Sequence, residues 1–276
     1  ALYRALYDFL DTHDMAEAAS YEELDRLMDI QSYIDFSCVN IYFANLDFNE
    51  TKNVLCWRAR KTGQGKYEDG RWRWALYDLD LENLDYGIAF EEINTFTTDT
   101  HYAGGAFNTR PMYKALKTNP EFCKRFVISF MDMVNTDFTV ERASQVMADW
   151  GATAEWWGMR SNWTETFFPA RTEAVIGHLA EEFDLTGSCE SLRLSLNHKG
   201  AGVIFLNTIC PDLSEGQWSG RYFSDYPVTI TAEAEDGYRF VGWKSHAWEG
   251  MKPDKTLTVD IPIGGLALEA VFEKNG

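Results

Sequence analysis

The spacing of apolar residues changes at residues 186–188 from helical to alternating, and this change constrains the fold more than any other feature. Before it, apolar side chains recur every three or four residues, as in amphipathic helices. After it, apolar and polar residues alternate in three runs, 226–232, 257–261 and 266–272. Gly, Pro and Asp separate these runs, as expected between strands. We therefore predict an α+β chain, with a mainly helical domain over 1–184 and a small all-β domain over 187–276.

The helical part contains several local start signals. Asn119 followed by Pro120 is a favourable first turn, because Asn accepts the free backbone N–H groups and Pro has none to lose. Thr139 is expected to cap the next helix. The apolar stripes on these helices, including Val146 and Trp150, are predicted to be core. Helices are expected at 1–31, 33–45, after 119, after 139 and at 170–183.

Two acidic residues each follow an apolar run, and a hairpin lies between them. Asp47 follows the helix predicted at 33–45, and Asp78 ends the second of two strands predicted at 54–60 and 71–79. The Gly-rich loop between the strands lacks the spacing of a phosphate-binding loop, so it is interpreted as a hairpin loop. Carboxylates at the ends of buried elements suit Mg²⁺, which takes hard oxygen ligands and keeps water and nucleotide phosphates in its shell.

Composition narrows the possible partners. The chain has 25 Lys and Arg against 43 Asp and Glu, a formal charge of −18, which argues against nucleic acid or an anionic membrane as the main partner. No stretch has the ~18 apolar residues of a membrane span. The five cysteines are scattered without metal-site spacing, and a Cys189–Cys210 disulfide is left open.

Three ordered segments resemble a known family: YIDFSCVNIYFANLDFNETKNVLCWRAR, then WRWALYDLD, then NPEFCKRFVISFMDMVNTDFTVERA. Together they resemble the C-terminal half of spore-coat-protein-H-like proteins, the CotH kinase family, over about residues 20–184. The resemblance implies the fold of an atypical, secreted or spore-associated kinase that transfers phosphate from ATP to Ser. GRYFSDYPVTITAEAEDGYRFVGWKS and LALEAVF resemble a divergent internalin-B-type repeat, a small β-grasp-like module of surface proteins.

The resemblance assigns roles to residues of the first acidic end, which is the segment around Asp47. Asp47 falls on the family's catalytic Asp, which accepts or orients the proton of the substrate hydroxyl. Asn53 falls near the family's metal-binding, cofactor-side Asn. The segment before Asn53 is one residue longer than the usual pattern, so Asn49 is the alternative for that role.

Roles are assigned in the same way to the second acidic end, which is the segment around Asp78. Asp78 falls on the Asp that holds Mg²⁺, with Asp80 as an alternate or second ligand; on a continuing strand both would point the same way. Tyr86-Gly87 replaces the Phe-Gly that commonly closes this segment. Arg58 is expected to contact phosphate or to be structural.

The resemblance implies a function and an alternative. As a kinase, the protein would use ATP and Mg²⁺ or Mn²⁺ to phosphorylate Ser of a surface or coat protein, outside the cell or on the spore coat of a bacterium. Only 46 residues precede Asp47, with helical patterns, so we expect a trimmed chain holding the C-lobe without an N-lobe. The alternative is a non-catalytic scaffold whose β module contacts a surface partner or glycan through aromatics such as Trp218, Tyr222, Tyr238 and Trp243.

Overall fold

The computed structural model describes residues 2–48, 52–79, 90–99, 105–151 and 163–276. These residues are largely helical up to Glu182 and form strands beyond it, which confirms the α+β class. Two compact units are present, Ala1–Val127 with Asn162–Phe183, and Ile128–Ser161 with Asp184–Gly276. The sequence-based domain limits, 1–184 and 187–276, stay a prediction.

The elements follow one another in two groups. The helices are α1 (Leu2–Thr12), α2 (Ala18–Leu27), α3 (Ile30–Tyr42), α4 (Pro111–Lys117), α5 (Pro120–Thr136), α6 (Val140–Trp150) and α7 (Trp163–Glu182), with short 3₁₀ turns at Phe90–Glu92 and Phe107–Thr109. The strands are β1 (Leu55–Trp57), β2 (Arg73–Ala75), β3 (Cys189–Leu196), β4 (Gly202–Leu206), β5 (Gln217–Phe223), β6 (Val228–Ala234), β7 (Tyr238–Ser245), β8 (Thr256–Val259) and β9 (Leu266–Lys274).

Helix α3 runs through the interior of the first unit. It begins after Asp29, whose carboxylate accepts a hydrogen bond from the Ser32 backbone N–H at 3.2 Å. Nine of its 13 residues are buried, so it packs on several faces at once rather than on one stripe. Such a helix can hold its C-terminal end in a fixed position.

The hairpin β1–β2 is bonded to this helix. Its two strands are antiparallel, and Cys56 pairs with Trp74. The Trp74 backbone N–H donates to Ser32 Oγ at 3.0 Å, and the Trp74 ring meets Tyr33 edge to face at 5.1 Å. The strands predicted at 54–60 and 71–79 are therefore confirmed, although each is only three residues long.

An ion-pair cluster ties the hairpin to the start of α3. The Arg73 guanidinium donates to both oxygens of Asp69, at 2.8 and 2.6 Å, and to Asp29 at 3.0 Å. The hydrogen bonds from Arg73 hold the pKa of Asp69 well below its usual range. The same acid that caps α3 thus also anchors β2.

The second unit is built around two sheets. One has four strands in the order β5-β3-β9-β7, in which β3 and β9 are parallel and the other pairs antiparallel. The other has three antiparallel strands in the order β4-β6-β8. Inward-facing side chains such as Leu194, Trp243 and Phe272 are buried and form its core. Tyr222 and Trp243, which the scaffold alternative treated as contact residues, are therefore core residues.

The second half of α5 is bonded to these strands through Asp132. This buried carboxylate accepts from Asn207 Nδ2 at 3.0 Å, from Thr208 N and Oγ1 at 3.1 and 2.7 Å, and from the Tyr222 hydroxyl at 2.7 Å. Burial raises the pKa of Asp132. The four donors replace the water that the carboxylate loses on burial.

Two local predictions have opposite outcomes. The start of α5 is as expected, because Asn119 Oδ1 accepts from the backbone N–H groups of Glu121 and Phe122 at 2.9 and 3.3 Å. Thr139 caps α6, but the predicted core stripe on α6 is wrong. None of its residues is buried, and Val146 and Trp150 are 40% and 57% exposed. Helical spacing predicts an apolar face, but burial also needs a partner that packs on it, which the spacing does not specify.

All five cysteines are free thiols, so the Cys189–Cys210 disulfide left open by the sequence is not formed. Cys38 is buried, and Cys56 and Cys123 are half-buried. Burial raises the pKa values of the Cys56 and Cys123 thiols, as expected for small side chains within packed regions.

Candidate active site

The C-terminal end of α3 is held by a buried arginine. Arg171, on α7, donates to the carbonyl oxygens of Ile41 and Tyr42, both at 2.6 Å. It also donates to the carbonyls of Glu91 and Ile93, at 2.9 and 2.6 Å. Burial lowers the pKa of Arg171 to about 10, so the guanidinium stays charged at neutral pH. The negative end of the α3 dipole suits this cation.

Asn45 follows α3 and connects the two acidic ends. Its amide nitrogen donates to Asn40 Oδ1 at 2.8 Å and to the Asp78 carbonyl at 3.3 Å. Its amide oxygen accepts from the Asp47 backbone N–H at 3.0 Å. One buried side chain therefore binds both the loop that carries Asp47 and the segment that carries Asp78.

Asp47 is held by two neighbours in its own loop. Lys52 Nζ forms an ion pair with Asp47 Oδ1. Asn53 Nδ2 donates to Asp47 Oδ2 at 3.1 Å and to the Asp47 carbonyl at 2.9 Å. The Asp47 side chain is 14% exposed, so it is shielded but still reaches the surface. Lys52 brings a positive charge to this position.

The backbone is left-handed at three non-glycine residues of this region. Ala44, Asn53 and Asp78 have φ angles of +49°, +53° and +55°. A side chain at such an angle costs about 1 kcal/mol or more, and such residues concentrate at functional sites. The turns at 44 and 78 direct the chain at each acidic end.

Asn45 and Asn53 thus link Asp47 to the backbone of Asp78 and to its own loop, while Arg58 makes a different contact. Arg58 lies with its guanidinium over the Trp72 ring, 5.8 Å from the centroid, so its observed contact is a packing contact. Asp80, Asn49 and the Tyr86-Gly87 pair lie outside the described residues.

The residues that would hold a hard cation here are Asp78, through its carboxylate oxygens, and Asn53, which donates its N–H groups to Asp47 and keeps its amide oxygen as an acceptor. Within the described ranges, no group of three or more His, Cys, Asp or Glu side chains forms a metal site by itself. These residues therefore suit Mg²⁺ only if phosphate oxygens and water complete the shell.

Sequence reasoning did not assign roles to three residues of this region. Asn45 stood in the motif that carries the resemblance, and a polar residue after a buried helix was a signal for it. Lys52 is next to Asn53 and carried no signal of its own. Arg171 lies 129 residues beyond Tyr42 along the chain, so no local pattern pointed to it.

Comparison with known families gives two matches. The family model described as CotH kinase protein matches residues 2–183. The chain belongs to the CotH kinase family. A second model, the divergent InlB B-repeat domain, matches residues 213–276. No curated protein and no solved structure matches the chain. Among the described residues, no helix of the CotH domain or of the remainder is both long and apolar enough to cross a membrane.

Three large apolar side chains that are close in sequence to the acidic residues of the CotH domain are exposed. Leu55, two residues after Asn53, is 51% exposed. Leu76 and Tyr77, which directly precede Asp78, are 46% and 58% exposed.

Proposed function

We propose that the CotH domain contributes the catalytic and metal-side residues for transfer of the γ-phosphoryl group of ATP to Ser of a surface or coat protein. One observation carries this proposal: the Asn45 amide joins the Asp47 loop to the Asp78 backbone. Phosphoryl transfer depends mainly on positioning and charge stabilisation, so a rigid connection between base and metal-side acid is what the reaction needs.

Asp47 acts on the substrate hydroxyl. Its carboxylate accepts the Ser proton as the oxygen attacks phosphorus, and the bond to Asn53 fixes its orientation. Lys52, beside the same carboxylate, offsets negative charge that develops on the transferring group.

Asp78 and Asn53 hold Mg²⁺ or Mn²⁺ on the nucleotide phosphates, and Asp80 remains a proposed second ligand. When bound, the ion neutralises part of the negative charge on the nucleotide phosphates. The exposed apolar side chains of Leu55, Leu76 and Tyr77 suit the flat apolar face of an adenine ring. Arg58 is proposed as a structural residue, because it packs on Trp72.

Both domain types are typical of surface or coat proteins. A location outside a bacterial cell or on its spore coat, with a coat protein as phosphoacceptor, is part of the proposal. A non-catalytic scaffold is the second candidate, and one observation favours it. Both carboxylate oxygens of Asp47 already accept hydrogen bonds from within the chain.

Calorimetry of ATP binding with and without Mg²⁺ separates the two candidates. It should be run on this chain and on the longest natural polypeptide that contains it, each with Asp78→Asn. Asp11→Asn is the matched control, because Asp11 is an exposed acid of α1. We expect Mg²⁺-dependent binding that Asp78→Asn abolishes and Asp11→Asn preserves.

Transfer itself is followed with radiolabelled ATP and a Ser-containing coat-protein extract. Asp47→Asn should keep ATP binding and lower transfer by about 100-fold or more, the usual contribution of a general base. Folded protein that binds no nucleotide in any form would exclude the kinase and leave the scaffold.

A further inference from the structure

A wide groove crosses the four-stranded sheet of the second unit. It has a volume of about 1150 Å³. Side chains from all four strands line it, together with the loop between β7 and β8. Its lining includes the side chains of Arg193, Lys244, His246, Trp248 and Met251. This sheet groove is outside the region that carries Asp47 and Asp78.

The groove concentrates basic side chains on an acidic protein. Arg193, Lys244 and His246 are exposed and line it, while Glu269 supplies a carboxylate on the lining. In the part of the chain that the structure describes, none of the three basic side chains forms an ion pair. The chain as a whole has a formal charge of −18. Arg193 and Lys244 outnumber the one carboxylate of the lining, Glu269, and this local excess of positive charge attracts an anionic ligand.

One indole ring, that of Trp248, also lines the groove and is half-buried. Trp218 faces the other side of the sheet, because it pairs with the buried Leu194 and its ring lies at Gly220, close to Asn135. The Lys252 ammonium lies 4.1 Å from the Trp248 ring centroid, which fixes the ring by a cation–π contact. Trp248 Nε1 is buried, and within the described residues it has no hydrogen-bond acceptor. A buried N–H without an acceptor is costly, so a ligand oxygen at this position would relieve that cost.

The loop that carries Trp248 is fixed before any ligand binds. Trp243 and Lys252 exchange backbone hydrogen bonds of 2.8 and 3.0 Å, which close the loop back onto β7. This close approach needs Gly242, because a Cβ there would lie 2.6 Å from Met251 Cγ and 2.8 Å from the Lys252 carbonyl. A loop held in this way loses little entropy on binding.

The arrangement favours a ligand that binds to side chains of the sheet rather than to its backbone groups. Peptides commonly bind sheets by adding a strand to a free edge, where backbone groups are unpaired. The central strands β3 and β9 are paired on both sides. At the edge strand β5, the Asn135 side chain already exchanges two hydrogen bonds with the Arg221 backbone, at 2.8 and 2.9 Å. The groove therefore offers an indole ring, hydroxyls and cations in place of a strand edge.

We propose that the sheet groove binds an acidic saccharide. Carboxylate groups of the sugar pair with Arg193 and Lys244 in charge-assisted hydrogen bonds. The apolar face of a sugar ring packs on the indole of Trp248, and a sugar oxygen accepts from Trp248 Nε1. The site is independent of phosphoryl transfer, so it operates in a kinase and in a scaffold alike.

Binding is measured on the full chain by affinity electrophoresis and calorimetry with polygalacturonate. Fully methyl-esterified polygalacturonate, with the same rings but no charge, and poly-glutamate, with charge but no rings, are the comparison probes. The variants are Arg193→Ala/Lys244→Ala and Trp248→Leu. Lys274→Ala is the control, because Lys274 is an exposed cation of β9 outside the groove.

Polygalacturonate should bind, and the double variant should weaken it by about five- to tenfold, since each exposed ion pair accounts for a factor of about two to five. Trp248→Leu should weaken both saccharides, and Lys274→Ala should change binding less than about twofold. Equal binding of poly-glutamate would overturn the proposal in favour of an acidic peptide. Absence of polygalacturonate binding, or a double variant that binds like the parent chain, would overturn it outright. Asp47→Asn should bind polygalacturonate normally, which distinguishes this test from that of the kinase.

Discussion

Replacement of Arg171 by Met should strongly destabilise the first unit. The loss in the free energy of unfolding can be estimated from the hydrogen bonds that Arg171 makes. The guanidinium makes five hydrogen bonds, four to backbone carbonyls and one to Thr95 Oγ1 at 3.2 Å. Ile41 O keeps other donors, Ala44 N and Thr95 Oγ1, both at 3.1 Å. Three carbonyls, those of Tyr42, Glu91 and Ile93, lose the Arg171 donor.

Each carbonyl left without its donor in the interior costs about 1–3 kcal/mol. Met fills much of the volume, so the cavity term is small. The expected loss for the three carbonyls is therefore about 3–9 kcal/mol, a large share of the 5–15 kcal/mol that a domain has in total. Arg171→Lys keeps the charge but has only three donors on one nitrogen, so it should lose about half as much.

Hydrogen exchange read on peptides that cover α3 is the suitable assay, because the chain has two compact units and global unfolding need not be two-state. Loss of 3 kcal/mol corresponds to about 150-fold faster exchange in α3. Arg4→Met, at an exposed position of α1, is the control and should change exchange little. If Arg171→Met accelerates exchange in α3 by less than about fivefold, the reasoning from unsatisfied carbonyls is refuted.

Three further predictions concern single side chains. Asp132→Asn turns one acceptor oxygen into a donor that faces Thr208 or its neighbours, so urea unfolding of the second unit should show a loss of about 2–3 kcal/mol. Burial lowers the pKa of His178 to about 4 from an ordinary 6.5, so the unfolded chain takes up a proton first as pH falls. The free energy of unfolding should therefore fall between pH 6.5 and 4, by about 1–2 kcal/mol after allowance for the partial exposure of the ring, and His178→Gln should remove that part of the slope. Gly242→Ala places a Cβ 2.6 Å from Met251 Cγ and should lower the melting temperature and weaken polygalacturonate binding, at a cost of about 1–3 kcal/mol.

For each of these three predictions, one experimental result would contradict it. Asp137→Asn, an exposed acid near the same helix end, should be neutral, and an Asp132→Asn variant as stable as that control would show that the buried carboxylate is not needed. A flat pH profile in the parent chain would remove the His178 argument. A Gly242→Ala protein with unchanged melting temperature would mean that the Met251 loop moves freely.

The features that sequence predicted well depend on neighbours along the chain. The change of period at 186–188 marks the start of the β strands because alternation is a local property. Asn119 caps α5 because its acceptor and the donors lie within three residues. The two acidic ends stand out in the sequence because an apolar run and a terminal acid are contiguous, and their roles stay a prediction.

The features that sequence did not predict depend on contacts between distant segments. The stripe on α6 was expected to be core, but the spacing of Val146 and Trp150 describes only the helix, not what packs on it. The bond from Asn45 to Asp78 spans 33 residues, and that from Arg171 to Tyr42 spans 129. Such pairs follow from the packed fold, so a single sequence contains no periodic signal for them.

The left-handed residues around the two acidic ends have a consequence for protein engineering. Glycine adopts these angles without the steric cost that Ala44 bears at φ +49°. A library selected only for heat resistance should therefore enrich glycine at 44, with a gain of up to about 1 kcal/mol, offset in part by the flexibility of the unfolded chain. At 53 the same selection should retain asparagine, because glycine there removes the amide that donates twice to Asp47. Opposite outcomes at 44 and 53 would separate a left-handed residue that only costs stability from one whose side chain repays that cost.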